Sequence, residues 1–317
     1  MNFLVTGANG FIGHTLCSTL AKKGHAIRGA FRSPENCIEY KNYVDCVAVG
    51  DIGPDTDWTQ ALSGIDIIVH LVAKVHVLQK SSVNQLDDYR KVNTKGTERL
   101  ADMAAKAGVK RFVFMSTVKV NGEWTKDKLF TETDLPHPED PYAISKWEAE
   151  EALLKISKET GLEVVILRPP LVYGPGVKAN FLRLLQLVDR NIPLPFQNIN
   201  NRRSFIYIGN LVDAIIACCS NPNAKGETFL VSDNEDISTP DLIRMIALAM
   251  NKKNRLFPFP QSLLRMIGAL AGKKEELDRL FSSLCVDSRK IRKVLNWNPP
   301  FSMKEGIHET VKWYISK

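Results

Sequence analysis

No cluster of cysteines or histidines stands out in this sequence. The six cysteines, at positions 17, 37, 46, 218, 219 and 285, show neither C-x-x-C spacing nor the framework of a small secreted domain. Reduced thiols in a reducing compartment are the expectation. The six histidines are scattered, without H-E-x-x-H or a His/Cys grouping, so nothing points to a metal site. Long apolar runs are missing too, and none approaches the ~20 residues that span a bilayer. The opening MNFLVTGANG enters a strand without a charged leader and apolar core, so no signal peptide is expected and a cytoplasmic location is. Dense runs of one charge are absent as well. Lys and Arg outnumber Asp and Glu by 42 to 35 but are spread along the chain, which suits anionic small molecules such as phosphates and argues against nucleic acid. Repeats and low-complexity tracts are not found.

What the sequence does have is alternation. Short β-like runs (NFLVTG, AIRGAF, VDCVAV, DIIVHLV, RFVFMS, EVVILR) are separated by helical patterns over 11–23, 86–107 and 141–160. The runs are continuously apolar, as in parallel strands buried on both faces. The expected fold is α/β: a Rossmann-like, doubly wound parallel sheet with a smaller, mostly helical C-terminal substrate lobe. Residues 1–170 would form the dinucleotide-binding domain, with 204–232 returning to it. Residues 171–203 and 233–317 would form the lobe. Within the returning segment, RRSFIYIGNLVDAIIACC reads as a strand and helix rejoining the sheet, and TFLVS as a strand beyond it.

TGANGFIG, residues 6–13, follows the first strand and opens the first helix, with Gly7, Gly10 and Gly13 at G-x-x-G-x-x-G spacing. Such glycines allow a tight turn, let backbone approach a pyrophosphate and permit close helix packing. Phe11 and Ile12 lie in the same turn and belong to the expected cofactor site. An acid usually ends the second strand of NAD binders, whereas an Arg there accommodates a 2′-phosphate. The window here, Arg28 to Arg32, has no acid, so Arg32, helped by Arg28, favours NADP(H) over NAD(H); stacking of Arg32 on adenine is the alternative. Asp51 and Ile52 after the third strand are candidate adenine contacts. Leu71, Val72 and Ala73 after the fourth are candidates for the cofactor's middle.

DPYAISKWEAEE, residues 140–151, places Tyr142 four residues before Lys146, on one face of a helix's first turn. A fixed cation lowers a phenol's pKa, so the pair can form an acid/base unit; two ordinary surface residues would show the same spacing. TGANGFIG, HLVA at 70–73, VNTKGT at 92–97, a Ser/Thr strand end at 116–117, YAISK at 142–146 and RPPLVYGPG at 168–176 together resemble the extended short-chain dehydrogenase/reductases. Within that family the sequence is similar to nucleotide-sugar enzymes of the UDP-glucose 4-epimerase type, and most of all to O-antigen UDP-4-keto-6-deoxy-N-acetylglucosamine (quinovosamine) 4-reductases.

The resemblance implies a catalytic Thr117, Tyr142 and Lys146. Tyr142 would exchange a proton with the sugar O4, Thr117 would hydrogen-bond that oxygen, and Lys146 would lower the phenol's pKa and hold the nicotinamide ribose. It also implies that Asn180 and Phe181 touch the UDP moiety and that Arg203 binds the diphosphate, with a solvated basic turn as the plain reading of Arg202 and Arg203. Tyr173 reads equally as packing or as cofactor-pocket wall. Two departures narrow the chemistry. Thr117-Val118-Lys119 lacks the acids of the T-D-E found in sugar-nucleotide dehydratases, and Lys119 also stands where GDP-sugar epimerase/reductases carry a cysteine. Asn121 replaces the tyrosine of V-Y-G. The implied activity is net C4 reduction of a UDP-4-keto sugar, with C4 epimerisation as the alternative, on a membrane-borne diphospholipid sugar in one version. A redox-inactive nucleotide-binding regulator is the reading from another class.

The segment 256–274 carries Leu263, Leu264, Met266, Ile267, Leu270 and Ala271 as an apolar helical stripe flanked by Arg265, Lys273 and Lys274. A lobe-packing surface is expected; the alternative is an interfacial helix at the inner face of the membrane. The resemblance further implies a homodimer through a helix pair that includes 86–107 and 141–160.

Overall fold

The computed structural model describes residues 1–40, 42–75, 85–270, 272 and 274–317. Nine strands are present among them: β1 Asn2–Thr6, β2 Ala26–Phe31, β3 Asp45–Ala48, β4 Ile67–His70, β5 Arg111–Met115, β6 Glu163–Arg168, β7 Leu171–Tyr173, β8 Phe205–Tyr207 and β9 Thr228–Leu230. Seven form one parallel sheet in the order β3-β2-β1-β4-β5-β6-β9. Every residue of β4 and β5 is buried, which explains the apolar runs 67–69 and 112–115. Alternate residues of β1 face opposite ways. Phe3 and Val5 pack with Leu16, Leu20 and Ile215, whereas Leu4 packs with Leu100, Leu153 and Phe112. Helices Phe11–Lys22 and Ile208–Ser220 therefore cover one face, and Gly96–Lys106 and Pro141–Thr160 the other.

The helix Pro141–Thr160 begins where three signals agree. The Asp140 carboxylate accepts from the Ala143 N–H at 2.6 Å, Pro141 occupies the first turn, and Gly161 ends the helix at φ 80°. The helix expected over 86–107 is instead built in three pieces: Gln85–Tyr89, a π-helical turn Arg90–Lys95, and Gly96–Lys106. The wider turn rotates Asn93 fully into the interior, where it bonds the backbone of Lys74 and the Ser145 hydroxyl.

Strand β8 does not rejoin the main sheet as expected. It pairs with β7 in a separate two-stranded parallel sheet, and β9 alone adds to the large sheet's edge. The junction is held by Asp233, which accepts from the Tyr173 hydroxyl, the Tyr207 N–H and the Asn210 amide; Asn210 in turn donates to the Phe301 carbonyl. Tyr173 is thus a packing aromatic, stacked on Phe181 at 5.3 Å. Cys37 and Cys46 are brought together with Cα atoms 6.2 Å apart, a span that a disulfide can bridge. Residues nine apart in sequence meet because the chain folds back between β2 and β3.

Among the described residues no helix is long and apolar enough to cross a membrane. The helix Gln261–Leu270 buries Leu264 against Phe281 and Ile199 but leaves Leu263, Met266 and Leu270 exposed, so it packs by one edge only. The side chains of Ile267 and Lys274, and residues Ala271 and Lys273, lie outside what is described.

Candidate active site

The strand order reverses between β1 and β4, and the crevice beyond their carboxyl ends is the ligand position of doubly wound sheets. The glycine loop lies there. Gly7 has φ +69°, and a Cβ on it would come within 3.2 Å of Val72, so the loop runs against the segment after β4. At Gly13 an added Cβ would sit 2.1 Å from the Gly7 carbonyl oxygen and 2.8 Å from Ala8 Cα. Only glycine lets the helix start this close to the turn. Gly10 caps the helix with no side chain, leaving the first-turn N–H groups of Phe11, Ile12 and Gly13 directed outward. Phe11 also faces Gly176, in the loop after β7. Leu71 donates its N–H to Thr6, and Ala73 is followed by Lys74, tied to Asn93. A cradle that any Cβ would fill, beside open helix N–H groups, fits the pyrophosphate of a dinucleotide.

Arg32 follows the carboxyl end of β2 and is largely exposed, with its Nε 2.9 Å from Asp51. Ile52 is half-buried against Gly96. Arg28 does not stand beside Arg32 as expected: it lies toward the other end of β2, where it pairs with Asp45 at 2.7 Å and donates to the carbonyls of Gln60, Ala61 and Ser63. It fastens a neighbouring short helix and cannot assist Arg32.

Thr117 follows β5 and caps the short turn Val118–Val120, its hydroxyl oxygen accepting from the Lys119 N–H. Tyr142 and Lys146 rise from the helix beside it. Lys146 is 1% exposed, with its ammonium 3.8 Å from the centre of the Phe114 ring. Burial pushes Lys146 down to about 7, with Glu150 opposing. Burial likewise raises the Tyr142 phenol well above its ordinary value, and Asp140 and Tyr89 add to the rise. The net lowering expected of the Tyr142–Lys146 pair is therefore not found in this structure, where desolvation of the phenolate dominates. His70, beneath Phe114 and fully buried, bonds Thr6 and Thr97 through its two ring nitrogens, and burial with Lys146 nearby depresses it to about 3. It is a neutral strut.

Several supporting residues had only weak sequence signals. Glu150, one turn beyond Lys146, takes a two-pronged bond from Arg168 and a bond from the Ser116 hydroxyl. Arg168 also donates to Asn121, whose amide reaches the Thr131 carbonyl, so the departure at Asn121 serves this buried network. The i, i+4 spacing of Lys146 and Glu150 was the available clue.

The residues expected to meet substrate are less uniform. Asn180 is exposed in the first turn of the helix Ala179–Asp189. Phe181 is 3% exposed and stacks in the core, so its side chain is committed to packing. Arg203 donates to the carbonyls of Arg279 and Ser282 and reaches inward, while Arg202 is exposed and pairs with Asp236.

Known proteins resemble this chain over nearly its whole length. The sequence is 41% identical over 317 residues to a UDP-glucose 4-epimerase of Vibrio cholerae, covering 99% of this chain and 95% of the relative. It is 26% identical over 329 residues to N-acetyl-alpha-D-glucosaminyl-diphospho-ditrans,octacis-undecaprenol 4-epimerase of Escherichia coli O157:H7, covering 98% and 95%. A UDP-glucuronic acid 4-epimerase of Bacillus cereus, solved in complex with UDP-glucuronic acid and NAD, superposes with a TM-score of 0.80 over 100% of this chain and 99% of that one; at 24% identity it speaks for the fold alone. Residues 3–232 match the NAD dependent epimerase/dehydratase family. From the glycine cradle at the switch point to the match over most of its length, the chain belongs to the NAD dependent epimerase/dehydratase family.

Proposed function

We propose that this chain interconverts UDP-hexoses at C4 and returns its dinucleotide unchanged, as a UDP-sugar 4-epimerase. The observation that carries the reading is the assembly of Thr117, Tyr142 and Lys146 at the carboxyl edge of β5, beside the glycine cradle, in a chain 41% identical to a UDP-glucose 4-epimerase. Bound in that cradle, a nicotinamide dinucleotide supplies a hydride acceptor and donor for the sugar carbon. Gly7, Gly10, Phe11, Ile12 and Gly13 would hold its pyrophosphate, Arg32, Asp51 and Ile52 its adenosine end, and Leu71 and Ala73 its middle. With the dinucleotide bound and its phenol ionised, Tyr142 would take the O4 proton as C4 is oxidised and would give it back as C4 is reduced from the opposite face. Thr117 holds the same oxygen in line. Lys146 supplies positive charge beside the phenol and an anchor for the ribose. Asn180 and Arg203 would meet the UDP moiety, Arg203 as a fork for the diphosphate.

A second reading is net reduction of a UDP-4-keto-6-deoxy-N-acetylhexosamine with NADPH for surface polysaccharide synthesis. It is favoured by the missing acid after β2 and by Arg32, which can leave exposed Asp51 for a 2′-phosphate. Incubation with UDP-glucose and NAD+ separates the two. UDP-galactose without net cofactor change supports the epimerase. No epimer, together with stoichiometric NADPH oxidation on the 4-keto sugar, replaces it with the reductase.

A further inference from the structure

Lys119 is a charged residue that the proposed chemistry leaves without a task. Its ammonium lies 2.6 Å from Glu123 and 2.7 Å from Asp140, and its backbone N–H donates to the Thr117 hydroxyl. Asp140 caps the helix that carries Tyr142 two residues later. Lys119 thus joins the turn bearing Thr117 to the first turn bearing Tyr142. It is about three-quarters buried, as are its two partners, so the bridge is shielded from solvent more than a surface pair is.

We propose that Lys119 is a positioning residue for Tyr142: its bridge to Glu123 and Asp140 fixes Tyr142 relative to Thr117 and neutralises the carboxylate closest to the phenol in sequence. The assignment rests on the Tyr142 role given above. Among the described residues, the charged and titratable groups around the phenol are Asp140 and Lys146 on its own helix, Tyr89 with its ring 6.4 Å away, and Lys119 with Glu123 from the turn after β5. Although burial works against it, hydrogen bonds from Lys119 and from the Ala143 N–H hold the Asp140 carboxyl below its ordinary value, so it is ionised at neutral pH. An ionised Asp140 disfavours the phenolate, and the ammonium of Lys119 opposes that effect. A lysine here serves proton transfer at O4 by tuning its neighbour.

The test reads the phenol itself. Phenolate absorbance of the NAD+-bound protein, taken as the difference from Tyr142→Phe, is titrated for the wild type, Lys119→Met, Asp140→Asn and the double variant. Asn caps a helix as well as Asp, so the helix start is kept. Lys119→Met is expected to raise the phenol's midpoint by about one pH unit or more, the usual effect of one close charge. Asp140→Asn is expected to lower it, Lys119→Arg to leave it in place, and the double variant to return near the wild type. An unmoved midpoint in folded Lys119→Met, or a double variant that fails to return, overturns the proposal. If Lys119→Met does not fold, Asp140→Asn decides alone through the opposite sign of its shift. Turnover of UDP-glucose is scored separately, so a chain that titrates as described but acts on no sugar refutes the proposed function without touching this assignment.

Discussion

Replacing Glu150 by Met strips a buried cation of its partner. Glu150 is 1% and Arg168 4% exposed, and the guanidinium donates through Nε at 3.0 Å and through Nη2 at 2.5 Å to the two carboxylate oxygens. Removing one member of such a pair leaves an uncompensated charge and costs about 3–5 kcal/mol. The Ser116 hydroxyl loses its acceptor as well, adding about 1 kcal/mol. At roughly 2 °C per kcal/mol for a chain of this size, the melting temperature should fall by about 8–12 °C. Urea titration of the single variants, Glu150→Met and Arg168→Met, and of the double variant separates charge from packing. The double variant buries no lone charge and should be more stable than Glu150→Met, with the unpaired Asn121 and Ser116 groups keeping it below the wild type. A melting temperature within about 2 °C of the wild type for Glu150→Met, or strictly additive losses in the double, would refute this account. Turnover adds a second check, because Glu150 opposes the burial that lowers Lys146. Its loss should leave more of Lys146 neutral at pH 7.

Tyr142→Phe should cut turnover by about 10²–10⁴-fold while cofactor binding, followed by fluorescence quenching, stays near the wild type; full activity would end the proposed proton transfer. Gly13→Ala should abolish dinucleotide binding by calorimetry and lower stability, since its methyl would overlap the Gly7 carbonyl. His70 is neutral when folded, with a pKa of about 3, and charges near 6.5 when unfolded, so the unfolded chain binds more protons between those values and stability falls as pH drops through that window. The full loss is about 4–5 kcal/mol, and His70→Gln should flatten the acid limb of a stability profile measured in urea.

The parallel sheet was legible because β1, β4, β5 and β6 have apolar centres with polar residues only at their ends, and helical spacing separates β4, β5 and β6. Gly7, Gly10 and Gly13 could be read because a tight turn between strand and helix leaves few chemical choices. Residues whose role depends on distant partners could not be read this way. Arg28 sits only four positions before Arg32, yet the register of β2 against β3 sends it to Asp45 at the opposite end of the strand. Phe181 lies next to Asn180, but helical rotation turns one into the core and the other into solvent. The π-helical turn at Arg90–Lys95 has no local signature, because it answers to Asn93 meeting Ser145 from 52 residues away. The pairing of β7 with β8 is likewise set by Asp233, which comes later than both.

That Asp233 junction also bears on the order in which the molecule assembles. Its bonds join positions 173, 207 and 233, and the Asn210 link extends them to 301. Contacts across such separations form slowly, since long loops must close before any bond is gained. On a ribosome, the first six strands of the large sheet can pair long before residue 301 emerges. The crevice edge formed by the glycine loop should therefore mature early, and the region around β7 and β8 last. A protease added during refolding should find the second half of the chain susceptible after the first has become resistant.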